Sequence, residues 1–155
     1  MTEIGSKLVV GALAGYVASR AMDQATTLFY ARQSDESKRR EEEVAPGGTL
    51  LQFGKQVGEA FGREFSDEEA NRVGIAFHRT MGTTYGVIAA ALAARGMRPV
   101  TAGLAVGTGA FVLIDEGTAL SEFTAFPVEA HLRGVVGHGA WGLVAGALLS
   151  LTEGH

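Results

Sequence analysis

The chain is 155 residues long, a single domain by length, with a formal net charge of -4 and no cysteine. An acidic balance without a basic stripe gives no footing for nucleic acid. The lack of thiols excludes disulfides, thiolate catalysis, iron–sulfur clusters and thiolate zinc sites. Glycine, at 22 residues against 3 prolines, is about twice its usual share, a composition of closely packed helices and not of a disordered chain.

The first predicted element is an apolar helix over about 6–30. Gly11, Gly15, Ser19 and Asp23 recur at intervals of four and so stack on one helical face. The opposite face carries Leu8, Val9, Leu13 and Val17, which leaves no polar outer side. Arg20 can pair with Asp23 within this helix at i, i+3. No small-x-small cleavage pattern follows the apolar run, so no cleavable signal is expected.

A hydrophilic segment follows over about 31–71. Its Lys38-Arg39-Arg40-Glu41-Glu42-Glu43 run reads as a solvated turn or helix surface. Pro46-Gly47-Gly48 breaks the chain. Leu50, Phe53, Val57 and Phe61 then repeat at helical spacing, which predicts an amphipathic helix lying at an interface or capping the bundle. Ser66 and Glu69 have capping-box spacing, so the second long helix should begin in water at Asp67.

That second apolar span, about 72–95, carries Gly74, His78, Gly82, Gly86 and Ala90 on one face. After a tight turn at Arg95–Pro99, a third span over about 99–122 repeats the first stripe as Gly103, Gly107, Phe111 and Asp115. The glycine-rich 103–109 stretch lies inside this span with no strand before it, so it reads as helix packing and not as a nucleotide loop. A fourth span, about 131–152, repeats the second stripe as Gly134, His138, Gly142, Gly146 and Ser150. Its 19 residues from Gly134 to Thr152 carry no formal charge, enough to cross a hydrocarbon core of roughly 30 Å. Phe123 and Phe126 fit interfacial aromatic positions, and Tyr85 and Trp141 fall mid-span.

The expectation is an all-α, four-span transmembrane bundle made of two repeated helical hairpins, with the amphipathic helix in the first loop. Repeat one covers about 6–95 and repeat two about 99–152, related by a pseudo-two-fold axis along the membrane normal. Gly11, Gly15, Gly82, Gly86, Gly103, Gly107, Gly142 and Gly146 are the expected packing residues.

Neighbouring helices run antiparallel, so late in one and early in the next is the same side of the bilayer. Asp23, His78, Asp115 and His138, with Arg20, Arg79, Glu116 and Arg133, therefore gather in one leaflet as a polar site. Charges at this depth face the interior and pair. Arg79 and Arg133 are expected to meet Asp115, Glu116 or Glu122.

Three readings of the Asp and His residues stand side by side: hydrogen bonds that fix register, a proton relay, or a divalent metal held by His78, His138, Asp23 and Asp115. At the level of the whole protein these become a transport or proton-handling protein, a metal- or haem-binding oxidoreductase subunit, or an accessory protein of a larger membrane complex. The di-iron Glu-x-x-His signature, the nucleophile elbow, the phosphate loop and the HExxH zinc motif are all missing, so an enzyme is the weaker expectation. The expected partners are the lipid bilayer and a second copy or larger membrane complex, with no nucleic acid.

The motif His78-(x3)-Gly82-Thr83-Thr84-Tyr85-Gly86, after a glycine-striped first helix and a polar loop, resembles the YagU-type bacterial inner-membrane proteins. The resemblance covers the first two spans and the four-span outline. It implies a multi-pass protein of the bacterial inner membrane and supplies no catalytic residues. Lysine and arginine counts beside the spans place the first loop, and with it the polar site, in the cytoplasm.

Overall fold

Helices of this chain meet wherever a side chain is small enough to let two backbones touch. The computed structural model describes residues 3–117 and 125–152. The elements are α1 (Glu3–Arg32), α2 (Asp35–Val44), α3 (Thr49–Ala60), α4 (Asp67–Ala94), α5 (Pro99–Ala110), which runs on into a π-helical turn (Phe111–Asp115), and α6 (Val128–Ser150). The described residues are all-α, without a strand.

Two expectations about these elements are corrected. The first loop holds two helices, α2 and α3, where one was predicted. The third long helix ends at Asp115, followed by a turn at residues 116–117, instead of continuing to 122. Residues 118–122 of that span, with Glu122 and the neighbouring Phe123, lie outside the described residues.

Four long elements form a ring: α1 packs on α4 and α6, and α5 packs on α4 and α6. Within each hairpin the glycine stripes face each other. A Cβ on Gly15 would fall 2.8 Å from the Gly86 Cα, and one on Gly11 would fall 2.5 Å from the Ala90 Cβ. A Cβ on Gly82 would collide with the Ser19 hydroxyl. In the second hairpin a Cβ on Gly103 would lie 2.8 Å from the Gly146 nitrogen, one on Gly107 2.6 Å from the His138 carbonyl, and one on Gly142 2.9 Å from the Leu104 Cα. Any larger residue at these points would force the helices apart.

The core is correspondingly made of small residues. Ala14, Ala18, Ala89, Ala90, Ala102 and Ala145 are buried, and Trp141 and Leu149 are the large side chains among them. Large apolar side chains point outward instead: Leu13, Val17, Ile88, Leu104, Leu113, Val135 and Leu143 are all exposed. That reverses the usual arrangement of a protein folded in water, where leucine, isoleucine and valine fill the interior. Among the described residues one helix, α6 at 23 residues, is long and apolar enough to cross a membrane by length and composition; Pro99–Asp115 is apolar but shorter.

Of the first-loop helices, α3 packs by the same rule. Gly54 and Gly74 bring α3 onto the first turns of α4, where a Cβ on Gly74 would sit 2.7 Å from the Leu50 carbonyl carbon. Phe53 stacks on Phe77 with ring centroids 4.3 Å apart, while Phe61, last of the predicted apolar face, is 78% exposed. Gly47 and Gly48 turn the chain between α2 and α3 at φ of +75° and +97°, values L side chains rarely adopt.

The α4 start is capped as the Ser66/Glu69 spacing predicts. The Ser66 hydroxyl accepts from the Glu69 amide at 3.3 Å, and the Ser66 amide donates to the Glu69 carboxylate at 2.9 Å. The Ser66 backbone N–H holds the Glu69 carboxyl below its ordinary range.

Two predictions follow from this packing and capping. Gly15→Leu should prevent close approach of α1 and α4, costing about 3 kcal/mol or more by the overpacking rule. Gly139→Ala, facing open space, should keep wild-type stability in the same thermal melt. Ser66→Ala should cost about 1 kcal/mol at the α4 start. Because Glu69 is depressed in the folded state, the capping-box contribution is present above the ordinary glutamate range and lost as pH falls through the lowered value. Amide exchange across residues 67–70, compared at about pH 7 and about pH 3, reads both effects.

Candidate functional site

Further along the glycine stripes, past Ser19 in the first hairpin and Phe111 in the second, acid meets imidazole in both hairpins. Below the Gly15–Gly86 crossing, Asp23 on α1 faces His78 on α4, with Nε2 3.2 Å from Oδ1. Below the Gly107–Gly142 crossing, Asp115 in the π-helical turn faces His138 on α6, with Nε2 3.0 Å from Oδ2. The geometry of helices four residues apart per step dictates both encounters.

The two pairs differ in what surrounds them. In the first, Arg79 donates to Asp23 Oδ2 and so matches its charge. The His78–Asp23 approach is close but badly aligned, and His78 Nε2 and Arg79 Nη1 are buried without a hydrogen-bond partner among the described residues. In the second pair the residue after the histidine is Gly139, so no guanidinium reaches Asp115 from that position, and the Asp115–His138 hydrogen bond is well formed.

The π-helical turn accompanies this second arrangement. Phe111 occupies the stripe position held by Ser19 in the first hairpin, and a Cβ on Gly134 would touch its ring at 2.7 Å. The backbone widens there, with the Glu116 amide donating to the Phe111 carbonyl at 3.0 Å, and the Phe111 ring tilts over His138 at 5.8 Å. Single π-turns inside α-helices are frequent at functional sites.

Both pairs line one cavity of about 640 Å³. Its walls come from α1, α4, the π-helical turn and α6, and the Thr49–Gln56 side of α3 covers one flank. Tyr85 and Trp141 meet edge to face on its lining, centroids 6.1 Å apart and planes at 87°. Trp141, 2% exposed, donates its indole N–H to the Gly15 carbonyl at 3.2 Å, which locks α6 to α1. His138 lies near enough to His78 for charge on one imidazole to act on the other.

Several expected partners are corrected. Arg20 lies on an exposed face, and Asp23 is taken by Arg79 instead. Arg79 therefore does not meet Asp115 or Glu116. Glu116 pairs with His131 at 3.0 Å. Arg133 reaches neither acid and makes a two-pronged contact to Glu41 on α2, with Nη1 3.0 Å from Oε1 and Nη2 2.6 Å from Oε2. Among the described residues no three His, Asp or Glu side chains converge to hold a metal ion: His78, His138, Asp23 and Asp115 stand as two separate pairs.

The Glu41 contact belongs to a buried network that the charged run concealed. Gln33, Ser37 and Glu41 are all buried, with the Gln33 amide donating to Ser37 Oγ at 2.9 Å and to Glu41, and accepting from Arg133. The Arg133 guanidinium also lies 5.2 Å from the Tyr30 ring centre. The spacing of four from Gln33 to Ser37 to Glu41 is the signal that marks this inward face. At the head of α6, Glu129 is held below its ordinary range by hydrogen bonds from the Ser37 hydroxyl and the Ser34 amide.

No family model matches the chain, and no curated protein or solved structure is significantly similar to it. Function rests on the site's own geometry.

Glu41→Gln would leave the Arg133 charge largely buried without its carboxylate, costing about 3 kcal/mol. The double variant Glu41→Gln/Arg133→Gln should recover part of that loss. Limited proteolysis across residues 33–48 measures whether α2 stays docked.

Proposed function

We propose that this chain is a four-span protein of the bacterial inner membrane whose cavity exchanges protons, and with them a small solute, from one half of the bilayer. The membrane reading is supported by the inverted distribution of side chains, with alanine and glycine inside and leucine, valine and isoleucine outside, and by the length and apolarity of α6. Tight association without a large apolar core suits lipid, where helices gain from close packing and not from hiding leucine. The likeness of the first two spans to YagU-type proteins favours the same location and a cytoplasmic first loop.

The observation that carries the functional reading is the placement of both Asp–His pairs on one cavity. Imidazole and carboxylate are proton-exchanging groups, and ionisable groups within a bundle mark ion or proton paths. The two hairpins, as related halves, would each contribute one pair. Among the described residues the metal-centre reading has no donor cluster to support it. Reconstituted into proteoliposomes with a pH gradient, the unaltered chain should carry proton flux. His138→Gln and His78→Gln should together slow it by about a hundredfold. Unchanged flux in the double variant removes the proposal.

A further inference from the structure

The charged side chains on the cavity wall are not equally matched. Asp23 is balanced by Arg79, and Arg133 is balanced by Glu41. Asp115 faces only an imidazole, and among the described residues no arginine or lysine pairs with it. With both imidazoles neutral, the cavity therefore presents one uncompensated carboxylate.

Much of the lining is apolar and polarisable, beside the hydroxyls and amides of Thr26, Thr49, Gln52 and Gln56. Tyr85 lies near enough for the Asp115 charge to act on it, and Trp141, Met22, Met81 and Phe77 share the lining. Aromatic faces and thioethers favour a soft cation over an anion or a hydrated metal. A volume of about 640 Å³ lies within the range of sites that hold drug-sized molecules.

We propose that the cavity binds an organic cation with an apolar body, its positive charge against Asp115 and its body against Tyr85, whose ring meets the buried Trp141 edge to face. This rests on reading the cavity as a solute site. Protonation of His138 supplies Asp115 with a cation of its own, so proton and organic cation compete for one carboxylate. The other groups facing this point are already engaged or uncharged: Asp23 with Arg79, Arg133 with Glu41, Glu116 with His131, and neutral Tyr85, while protonated His78 adds to the repulsion. Release on acidification and uptake on alkalinisation follow from that competition.

Trp141 is the single tryptophan of the chain and lines the cavity, so its fluorescence reports occupancy directly. The full chain in lipid nanodiscs is titrated with tetraphenylphosphonium and, separately, with tetraphenylborate, an anion of the same shape. At about pH 8, above the ordinary histidine range, tetraphenylphosphonium should quench saturably and tetraphenylborate should not. At about pH 5 the cation's affinity should fall about tenfold or more, and Asp115→Asn should produce a similar loss at the higher pH. His138→Gln should retain binding and flatten its pH dependence.

Saturable quenching by the borate with equal affinity, or undiminished phosphonium binding in Asp115→Asn, overturns the assignment. Where Asp115→Asn fails to fold, the two probes on the unaltered chain decide. Proton flux without phosphonium quenching sinks the cation and spares the proton path. Saturable, pH-dependent phosphonium binding without flux sustains the cation site and sinks the transport reading.

Discussion

The architecture depends on backbones approaching to contact at the Gly15–Gly86 and Gly103–Gly146 crossings. Once two helices touch this closely, residues further along the same stripes are held facing each other, and in both hairpins these include an aspartate and a histidine. The same contact leaves little interior room for leucine or isoleucine, and among the described residues the large aliphatic side chains apart from Leu149 are at least partly exposed. Packing, the acid–imidazole encounters and the apolar exterior are three results of one steric condition.

Both hairpins bring an acid to an imidazole, but the charges around the two pairs differ. One residue, Arg79 where the second hairpin has Gly139, gives the first pair a fixed counter-charge and leaves the second without one. Charge held away from water is costly unless paired, so the two carboxylates stand in different electrostatic surroundings. The buried Arg133–Glu41 contact, bedded in Gln33, Ser37 and Tyr30, keeps another guanidinium from supplying the missing charge.

Much of the frame was legible in the residues. Spacings of four marked both stripes and therefore the glycines that touch and the acids that meet imidazoles, because helical periodicity alone determines which residues share a face. The Ser66/Glu69 cap was legible because it is local. Long-range charge pairing was not. Arg133 selects Glu41 because α2 folds back against α6, a placement that no periodicity within the Lys38–Glu43 run reveals. Arg79 selects Asp23 because the crossing point sets which turn of α1 it faces. The π-helical turn was equally hidden, since Phe111 keeps the spacing of four while its bulk changes the winding around it.

An interior built from alanine and glycine has an unusual evolutionary consequence. Shortening substitutions, the commonest source of damage in ordinary cores, find almost nothing to remove; enlarging ones strike nearly everywhere along α1, α4, α5 and α6. Tolerance to change is thus one-sided, strict within the contact seams and permissive across the outward aliphatic shell, where one branched side chain serves as well as another. Sequence drift in such a protein would collect on its rim while the seams stand still, so distant descendants would share little beyond a rhythm of small residues.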